Sequence, residues 1–189
     1  MTKNEIRRIF RAKREALTEK EILIYQDLLL IRFQQLPLPP LQIIHTYLPL
    51  HFKKEIDPAN IVKWLKFMNP GLITALPVAD FSNGSMRHFV YDENTRLTEN
   101  ALGINEPADG EELEAKDFDL ILLPLLGFDQ RGHRVGYGKG FYDRFLDQCR
   151  PEALRIGLSF FDPVHLIEDT NTEDRLMDYC ITPERIYEF

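Results

Sequence analysis

The N-terminal part of the chain has apolar residues at helical spacing. Residues 3–16 place Ile6 and Phe10 on one face, which predicts a surface helix with an apolar stripe. Thr18 followed by Glu21 is the pattern of a capping box, so a second helix should begin there and end before the first proline. Three basic residues lie in a narrow band beside the apolar stripe of the first helix: Lys3, Arg7 and Arg14.

After the first proline, short apolar runs alternate with helical segments. Strands are predicted at residues 41–50, 72–79, 86–91, 118–126, 154–160 and 179–182. Helices are predicted at residues 59–68, at 141–149 and from Asp162 onward, and an irregular connection at 92–116. The continuous apolar run at 118–126 is typical of a central strand covered on both faces. The alternation predicts one α/β domain over residues 1–189, with three α/β/α layers and a mostly parallel central sheet.

The composition of the chain argues against nucleic-acid-binding and membrane-spanning proteins. The formal net charge of −7 argues against nucleic-acid binding, which relies on a basic surface. No apolar run approaches the length of about 20 residues that a membrane helix needs. Cys149 and Cys180 stand far apart and in no metal-binding spacing, so we expect reduced thiols in a cytoplasmic protein. The expected partners are small molecules rather than nucleic acid or membrane, and the expected state is a monomer.

The segment GHRVGYGKGFYDRF, residues 132–145, concentrates glycine and basic residues in an otherwise acidic chain. It follows a predicted buried strand and precedes a predicted helix. The dinucleotide fingerprint G-x-G-x-x-G does not fit, because Phe141 stands where the third glycine is required. The phosphate-binding loop with Ser or Thr after Gly-Lys does not fit either, because Gly140 follows Lys139.

The same segment still has the features of an anion-binding turn. Backbone amides between a strand end and a helix start are free to donate hydrogen bonds at the positive end of the helix dipole. Arg134 would add a planar fork for phosphate oxygens, and Lys139 would add a mobile point charge. The alternative is a flexible connector whose basic side chains are only solvated.

A longer stretch around this segment resembles the signature of the 5-formyltetrahydrofolate cyclo-ligase family, also called methenyltetrahydrofolate synthetases: LLPLLGFDQRGHRVGYGKGFYDRFL. Weaker similarities are the segments KNEIR, KEID, LGINEP and NTEDRLMDYCIT. The resemblance implies an ATP- and Mg²⁺-dependent cyclisation of 5-formyltetrahydrofolate to 5,10-methenyltetrahydrofolate, with release of ADP and phosphate. In this chemistry ATP phosphorylates the formyl oxygen, which turns it into a good leaving group.

The resemblance also implies roles for individual residues. The ATP-binding positions are Lys3, Arg7, Arg134, Gly136, Gly138, Lys139 and Gly140, with Lys139 and Arg134 also acting on the transferring phosphoryl group. The folate-binding positions are Leu50, Glu55, Tyr137, Phe141 and Tyr142, with Tyr47, Phe52 and Trp64 as further candidates for the pocket wall. The magnesium ligands are Asp143 and Asp174, although Glu173 and Asp178 compete with Asp174 for its position. Phe141 and Leu102 stand where the family has tyrosine and an aromatic residue, which leaves open how these two positions contact the folate.

Two alternatives stay open. A related α/β protein could bind and isomerise a sugar phosphate, although it would not need the whole array from Arg134 to Asp143. A regulator that binds a nucleotide or folate without catalysis could keep the fold, and the two substrate-side departures would permit it. The presence of both Lys139 and Asp143 favours an enzyme, because a protein that only binds has less need of charge for phosphoryl transfer.

Overall fold

The computed structural model of the protein describes residues 1–100 and 103–189. Its helices are α1 (Lys3–Ala16), α2 (Glu19–Phe33), α3 (Ala59–Met68) and α4 (Phe141–Leu146). Its strands are β1 (Ile43–His45), β2 (Ile73–Asp80), β3 (Ser85–Val90), β4 (Leu97–Glu99), β5 (Asn105–Pro107), β6 (Glu112–Leu113), β7 (Leu120–Leu123), β8 (Gly127–Phe128), β9 (Arg134–Val135), β10 (Leu154–Leu158), β11 (Tyr179–Ile181) and β12 (Ile186–Glu188). The predicted capping box is present at the start of α2, where the Glu21 backbone donates to Thr18.

The central sheet has eight strands in the order β12-β11-β10-β7-β1-β2-β3-β6. The run from β11 to β2 is parallel, and β12, β3 and β6 pair antiparallel at the two edges. The chain passes from β1 through α3 to β2 in one direction, and from β7 through α4 to β10 in the other. The gap between β1 and β7 is therefore the topological switch point, where open α/β sheets bind ligands at the carboxyl ends of their strands.

The side chains of β7 show why the sheet is covered on both faces. Leu120 and Leu122 pack into the cluster that contains α2 and α3, whereas Ile121 and Leu123 pack into the cluster that contains Phe145 of α4. All of these side chains are buried. Successive side chains of a strand point to opposite faces, so this apolar run needs a helical layer on each side. The predicted three-layer fold with a mostly parallel sheet is confirmed.

Helix α1 lies at the end of the sheet rather than on one of its faces. Its apolar stripe, Ile6 and Phe10, is buried in a separate cluster with Leu126 and Val135. Leu126 precedes the β8–β9 hairpin and Val135 ends it. This packing places the basic band of α1 beside the glycine-rich segment that follows β9.

Residues 92–116, predicted as a long connection with little regular structure, contain three short strands in their described part. These are β4 and β5, which form a two-stranded ladder, and β6, which extends the central sheet beside β3. These strands are only two or three residues long. A hydrophobic period cannot be recognised over so few positions, so the pairing is decided by the neighbouring strand.

The predicted helix from Asp162 onward is wrong, since residues 162–178 are irregular. The backbone of this segment bonds to distant parts of the chain. The Ile167 amide donates to the buried Asp129 Oδ2 at 3.1 Å, and the Glu168 amide donates to the Met1 carbonyl at 3.0 Å. These long-range hydrogen bonds replace the local ones that a helix would require.

Other predicted elements are present but shorter. β1 covers three residues of the predicted strand at 41–50, and α4 covers six of the predicted helix at 141–149. The β8–β9 hairpin and β12 have no counterpart among the predicted elements. Among the residues that the structure describes, no helix has the length and apolar character of a membrane span.

Candidate active site

A cleft of about 340 Å³ opens at the topological switch point, lined by Tyr47 just after β1 and Pro124 just after β7. The residues that the resemblance assigns to ATP, folate and magnesium binding line this cleft: Lys3, Arg7, Leu50, Glu55, Arg134, Gly136, Tyr137, Gly138, Lys139, Gly140, Phe141, Tyr142, Asp143 and Asp174. The fold therefore brings the N-terminal helix, the turn after β1, the glycine segment and the acidic segment near the C-terminus to one place. The individual roles of these residues stay predictions.

Residues 136–140, called the glycine loop from here on, leave their backbone donors free. None of its amide groups donates a hydrogen bond to any residue that the structure describes. Two loop carbonyls, by contrast, are held by arginines. Arg7 Nε donates to the Gly136 carbonyl at 3.0 Å, and Arg144 Nη2 donates to the Lys139 carbonyl at 2.8 Å. The loop is thus anchored through its acceptors, and its donors are available to an anion.

The glycines of this loop are required for different reasons. Gly138 and Gly140 have φ of +94° and +69°, in the left-handed region that favours glycine. A Cβ at Gly138 would also lie 3.1 Å from the guanidinium carbon of Arg7. Gly136 has no positive φ, and a Cβ there would meet no described atom within 4 Å. The packing of the protein alone therefore does not explain glycine at 136, whereas the close approach of a ligand would.

The two basic residues of the segment have different environments. Lys139 is exposed, and no ion-pair partner for it occurs in the described part of the chain. Arg134 has a side chain that is 5% exposed, and its Nη2 pairs with Asp143 Oδ1 at 2.8 Å. Its Nη1 donates to the Arg175 carbonyl at 2.6 Å. In this structure Arg134 orients Asp143, and its direct contact with a phosphate remains a prediction.

The two predicted magnesium ligands also differ. Asp143 uses only Oδ1, which accepts from Arg134 and from the Arg175 amide at 3.2 Å. Asp174 uses both oxygens, which accept from Lys3 Nζ at 2.7 and 2.6 Å. No cluster of three or more candidate metal ligands is found among residues 1–100 and 103–189. A metal ion here would need oxygens from a bound ligand to complete its coordination.

The predicted folate side of the cleft is built around the buried carboxylate of Glu55. Its Oε1 accepts from the Tyr137 hydroxyl at 2.5 Å, and its Oε2 accepts from the Leu50 amide at 2.8 Å. Burial, and then the charge of Glu55, raises the pKa of both Tyr137 and Tyr142 well above the usual value for tyrosine. The two hydroxyls therefore stay protonated: Tyr137 donates its proton to Glu55, and Tyr142 can donate to a ligand.

The aromatic candidates for the pocket wall have different outcomes. Tyr47 is buried and lines the cleft. The expectation for Phe52 is wrong, because its side chain is 68% exposed outside the cleft lining. Trp64 instead packs in the core, with its ring centroid 6.0 Å from that of Phe33. Leu102 lies outside the described residues.

Among the residues at or near the cleft without a predicted role are Arg14, Lys53, Phe81 and Arg144. Phe81 lines the cleft at the end of the β2–β3 hairpin, and its ring meets that of Phe141 with centroids 5.2 Å apart. Arg144 joins this hairpin to the glycine loop, because its Nε donates to the Gly84 carbonyl at 2.8 Å. The sequence does not show that the β2–β3 hairpin lies beside the glycine loop, so it gave no signal for Phe81 or Arg144. The sequence does give a signal for Arg14, because it belongs to the same basic band of α1 as Lys3 and Arg7.

The match to known proteins decides the family. The model of the 5-formyltetrahydrofolate cyclo-ligase family matches residues 1–172. The chain belongs to this family. A curated relative, the 5-formyltetrahydrofolate cyclo-ligase of Escherichia coli K12, is 29% identical over 161 residues, which are 80% of this chain and 85% of that protein.

Solved structures of cyclo-ligase relatives have the same fold. The 5,10-methenyltetrahydrofolate synthetase of Aquifex aeolicus superposes with a TM-score of 0.78 at 25% identity, covering 100% of this chain and 93% of the other. The synthetase of Mycoplasma pneumoniae superposes with a TM-score of 0.74 at 23% identity, covering 96% and 98%. The second likeness supports the fold alone.

Proposed function

We propose that this protein uses ATP and Mg²⁺ to cyclise 5-formyltetrahydrofolate to 5,10-methenyltetrahydrofolate, releasing ADP and phosphate. The observation that carries the proposal is the glycine loop: its amides and Lys139, which have no partner among the described residues, share one cleft with the buried Glu55. Free donors suit a polyphosphate, and the carboxylate suits the N–H groups of a pterin. Membership of the cyclo-ligase family supports this pairing of ligands.

The reaction needs ATP because a formamide oxygen leaves poorly. The formyl oxygen attacks the γ-phosphorus of ATP, the bond to ADP breaks, and the oxygen now carries a phosphoryl group. N10 of the folate then attacks the formyl carbon, loses its proton, and the carbon–oxygen bond breaks to release phosphate. Positioning and charge stabilisation are the main contributions of a protein to such a transfer.

The glycine loop would bind the triphosphate through its amides, with Lys139 neutralising charge on the transferring group. Lys139 is suited to this because it is exposed and held by no carboxylate in the described residues. We rest this role on the loop amides rather than on the helix dipole. Helix α4 has only six residues, so its dipole contributes little.

Asp143 and Asp174 would hold Mg²⁺. The donor chemistry fits, because Mg²⁺ prefers carboxylate and phosphate oxygens and retains waters. When bound, the ion neutralises phosphate charge during the transfer. Asp143 offers Oδ2, which has no hydrogen bond to a described residue. Asp174 becomes available once Lys3 leaves it, and a nucleotide would draw Lys3 away because its phosphates attract the ammonium.

The test is to incubate the protein with ATP, Mg²⁺ and 5-formyltetrahydrofolate and to follow the ultraviolet absorbance of the methenyl product. We expect an absorbance rise that needs all three components and releases one phosphate for each product formed. Nucleotide binding by calorimetry without an absorbance rise would contradict the proposal and favour a regulator that binds without catalysis. The control is the same mixture with ADP in place of ATP.

We also propose that the protein acts as a monomer in the cytoplasm. Cys149 and Cys180 are both free thiols, as in a reducing compartment. The acidic surface supports small-molecule partners rather than nucleic acid. Light scattering during size exclusion measures the mass directly, and a mass of about twice 22.2 kDa would contradict the monomer.

A further inference from the structure

Arg14 is a charged side chain in an unusual position. It lies in the last turn of α1 and is 5% exposed, although most charged residues of this helix are at the surface. Taking a guanidinium out of water costs several kcal/mol unless it is paired with suitable acceptors. No carboxylate within ion-pair distance of Arg14 occurs in the described part of the chain. Its partners must therefore explain why it is buried.

The partners of Arg14 connect it to the folate side of the cleft. Its Nη2 donates to the Leu125 carbonyl at 2.5 Å, and its Nη1 donates to the Tyr137 hydroxyl at 3.3 Å. The same hydroxyl donates to Glu55 Oε1 at 2.5 Å. Arg14, Tyr137 and Glu55 thus form a chain in which one hydroxyl accepts from a cation and donates to a carboxylate. Both charges at its ends are buried.

This chain orients each member. A hydroxyl between two polar groups can rotate, and the guanidinium leaves it only one arrangement, with its proton directed to the carboxylate. Glu55 is held at its other oxygen by the Leu50 amide. Its remaining lone pairs are then presented in a set direction, which lowers the ordering cost when a ligand binds.

The phosphate side does not depend on Arg14. The glycine loop is anchored at the Gly136 carbonyl by Arg7 and at the Lys139 carbonyl by Arg144. Neither hydrogen bond involves the Arg14 side chain or the Tyr137 hydroxyl, through which Arg14 contacts this loop. Loss of Arg14 should therefore affect the two ligands unequally.

We propose that Arg14 is a positioning residue for the reduced folate, acting through the Tyr137 hydroxyl on Glu55 and leaving nucleotide binding unaffected. This inference rests on the proposed function, because it takes Glu55 as a contact of the pterin. Arg14 itself need not touch either ligand.

The test is a double-mutant cycle with Arg14→Met and Tyr137→Phe, read as the Kd of 5-formyltetrahydrofolate and of a non-hydrolysable ATP analogue with Mg²⁺ by calorimetry. Arg14→Met should weaken folate binding about tenfold and change nucleotide binding less than about twofold. In the Tyr137→Phe background, where the connecting hydroxyl is absent, Arg14→Met should change folate binding less than about twofold. The control Arg8→Met, an exposed position of the same helix, should match the wild type in both affinities.

The proposal would be overturned if Arg14→Met weakened folate binding equally in the wild-type and Tyr137→Phe backgrounds. It would also be overturned if the variant weakened the binding of folate and of the ATP analogue equally. Arg14 would then be a structural anchor. If Arg14→Met does not fold, Arg14→Lys takes its place, because an ammonium lacks the planar fork whose two nitrogens contact Leu125 and Tyr137. A wild-type folate Kd in a folded Arg14→Lys protein would overturn it equally. A wild type that binds no folate contradicts the proposed function as well, whereas folate binding without coupling contradicts this inference alone.

Discussion

The two ends of the cleft satisfy their polar groups in opposite ways. At the phosphate end, the glycine loop has no partner for its amides within the described residues, and Lys139 is exposed and unpaired there. At the folate end, the Tyr137 hydroxyl accepts from Arg14 and donates to Glu55. Glu55 also accepts from the Leu50 amide. Exposed donors cost little when unpaired, because water serves them, whereas buried charges need partners inside the protein.

The two ends therefore differ in whether a ligand must supply the missing hydrogen-bond partners. At the phosphate end, the loop amides and Lys139 are donors without acceptors in the described part of the chain, so a polyphosphate would supply the acceptors. At the folate end, Arg14, Tyr137 and Glu55 already bond to one another without a ligand. This end is therefore suited to orienting a ligand rather than to neutralising its charge. Substitutions of the unpaired groups at the first end, such as Lys139, should therefore change catalysis without changing stability, and those of paired groups at either end should affect both.

The largest effect is expected for Lys139→Ala. Removing a cation that acts on the transferring phosphoryl group should lower kcat about a hundredfold or more. The midpoint of thermal unfolding should not change, since the side chain is exposed and unpaired among the described residues. Initial rates at saturating substrates and a thermal scan measure both quantities. Lys20→Ala, an exposed position of α2, is the matched control, and a normal kcat in Lys139→Ala would remove this residue from the mechanism.

A second prediction concerns two buried histidines behind the folate end. Burial lowers the pKa of His88 to about 4, with nearby Glu112 opposing the shift, and lowers that of His45 well below its usual value. Both bind protons more weakly in the folded chain than in the unfolded one. The free energy of unfolding should therefore be unaffected by His88 above pH 6.5 and should fall by about 3 kcal/mol between pH 6.5 and pH 4.

Denaturant titrations at several pH values measure this dependence. The control is His88→Phe, which keeps an aromatic ring next to Phe145, whose ring centroid lies 4.1 Å away. It should reduce the slope of stability against pH in that window. An unchanged slope in the variant would assign the acid sensitivity to other groups.

Asp143→Asn should raise the Mg²⁺ concentration at half-maximal rate about tenfold, because asparagine keeps the shape of the aspartate side chain and loses its charge. The variant also leaves the buried Arg134 without its carboxylate, so the unfolding free energy should fall as well. Rates measured across a magnesium titration decide the first point. Asp27→Asn, on the exposed face of α2, is the control, and an identical magnesium titration in Asp143→Asn would indicate a structural role only.

The smallest effect is expected for Gly136→Ala, which raises the KM for ATP about fivefold by placing a methyl group where the ligand approaches. Its stability should equal that of the wild type, because no described atom lies within 4 Å of the added carbon. Gly138→Ala is the contrasting variant, since its φ of +94° should cost about 1 kcal/mol of stability. Equal losses of stability in the two variants would contradict this distinction between the glycines.

Local signals in the chain predicted a large part of the fold. The capping box at Thr18, the stripe of α1 and the buried run of β7 depend on neighbours within a few residues, and each is present. The short strands between 92 and 116 and the irregular segment after Asp162 were not predictable in this way. β6 and the segment after Asp162 bond to distant parts of the chain, and β4 and β5 are too short to show a hydrophobic period.

The sequence by itself predicted an anion-binding turn at residues 132–145, and its resemblance to the cyclo-ligase signature added the other residues expected in the cleft. Only the tertiary structure decided which of them are free and which are paired. Arg134 and Lys139 are equally basic in sequence, yet one is buried against Asp143 and the other is exposed. The physical reason is that burial and charge pairing depend on contacts between residues far apart in the chain, and no local pattern encodes them.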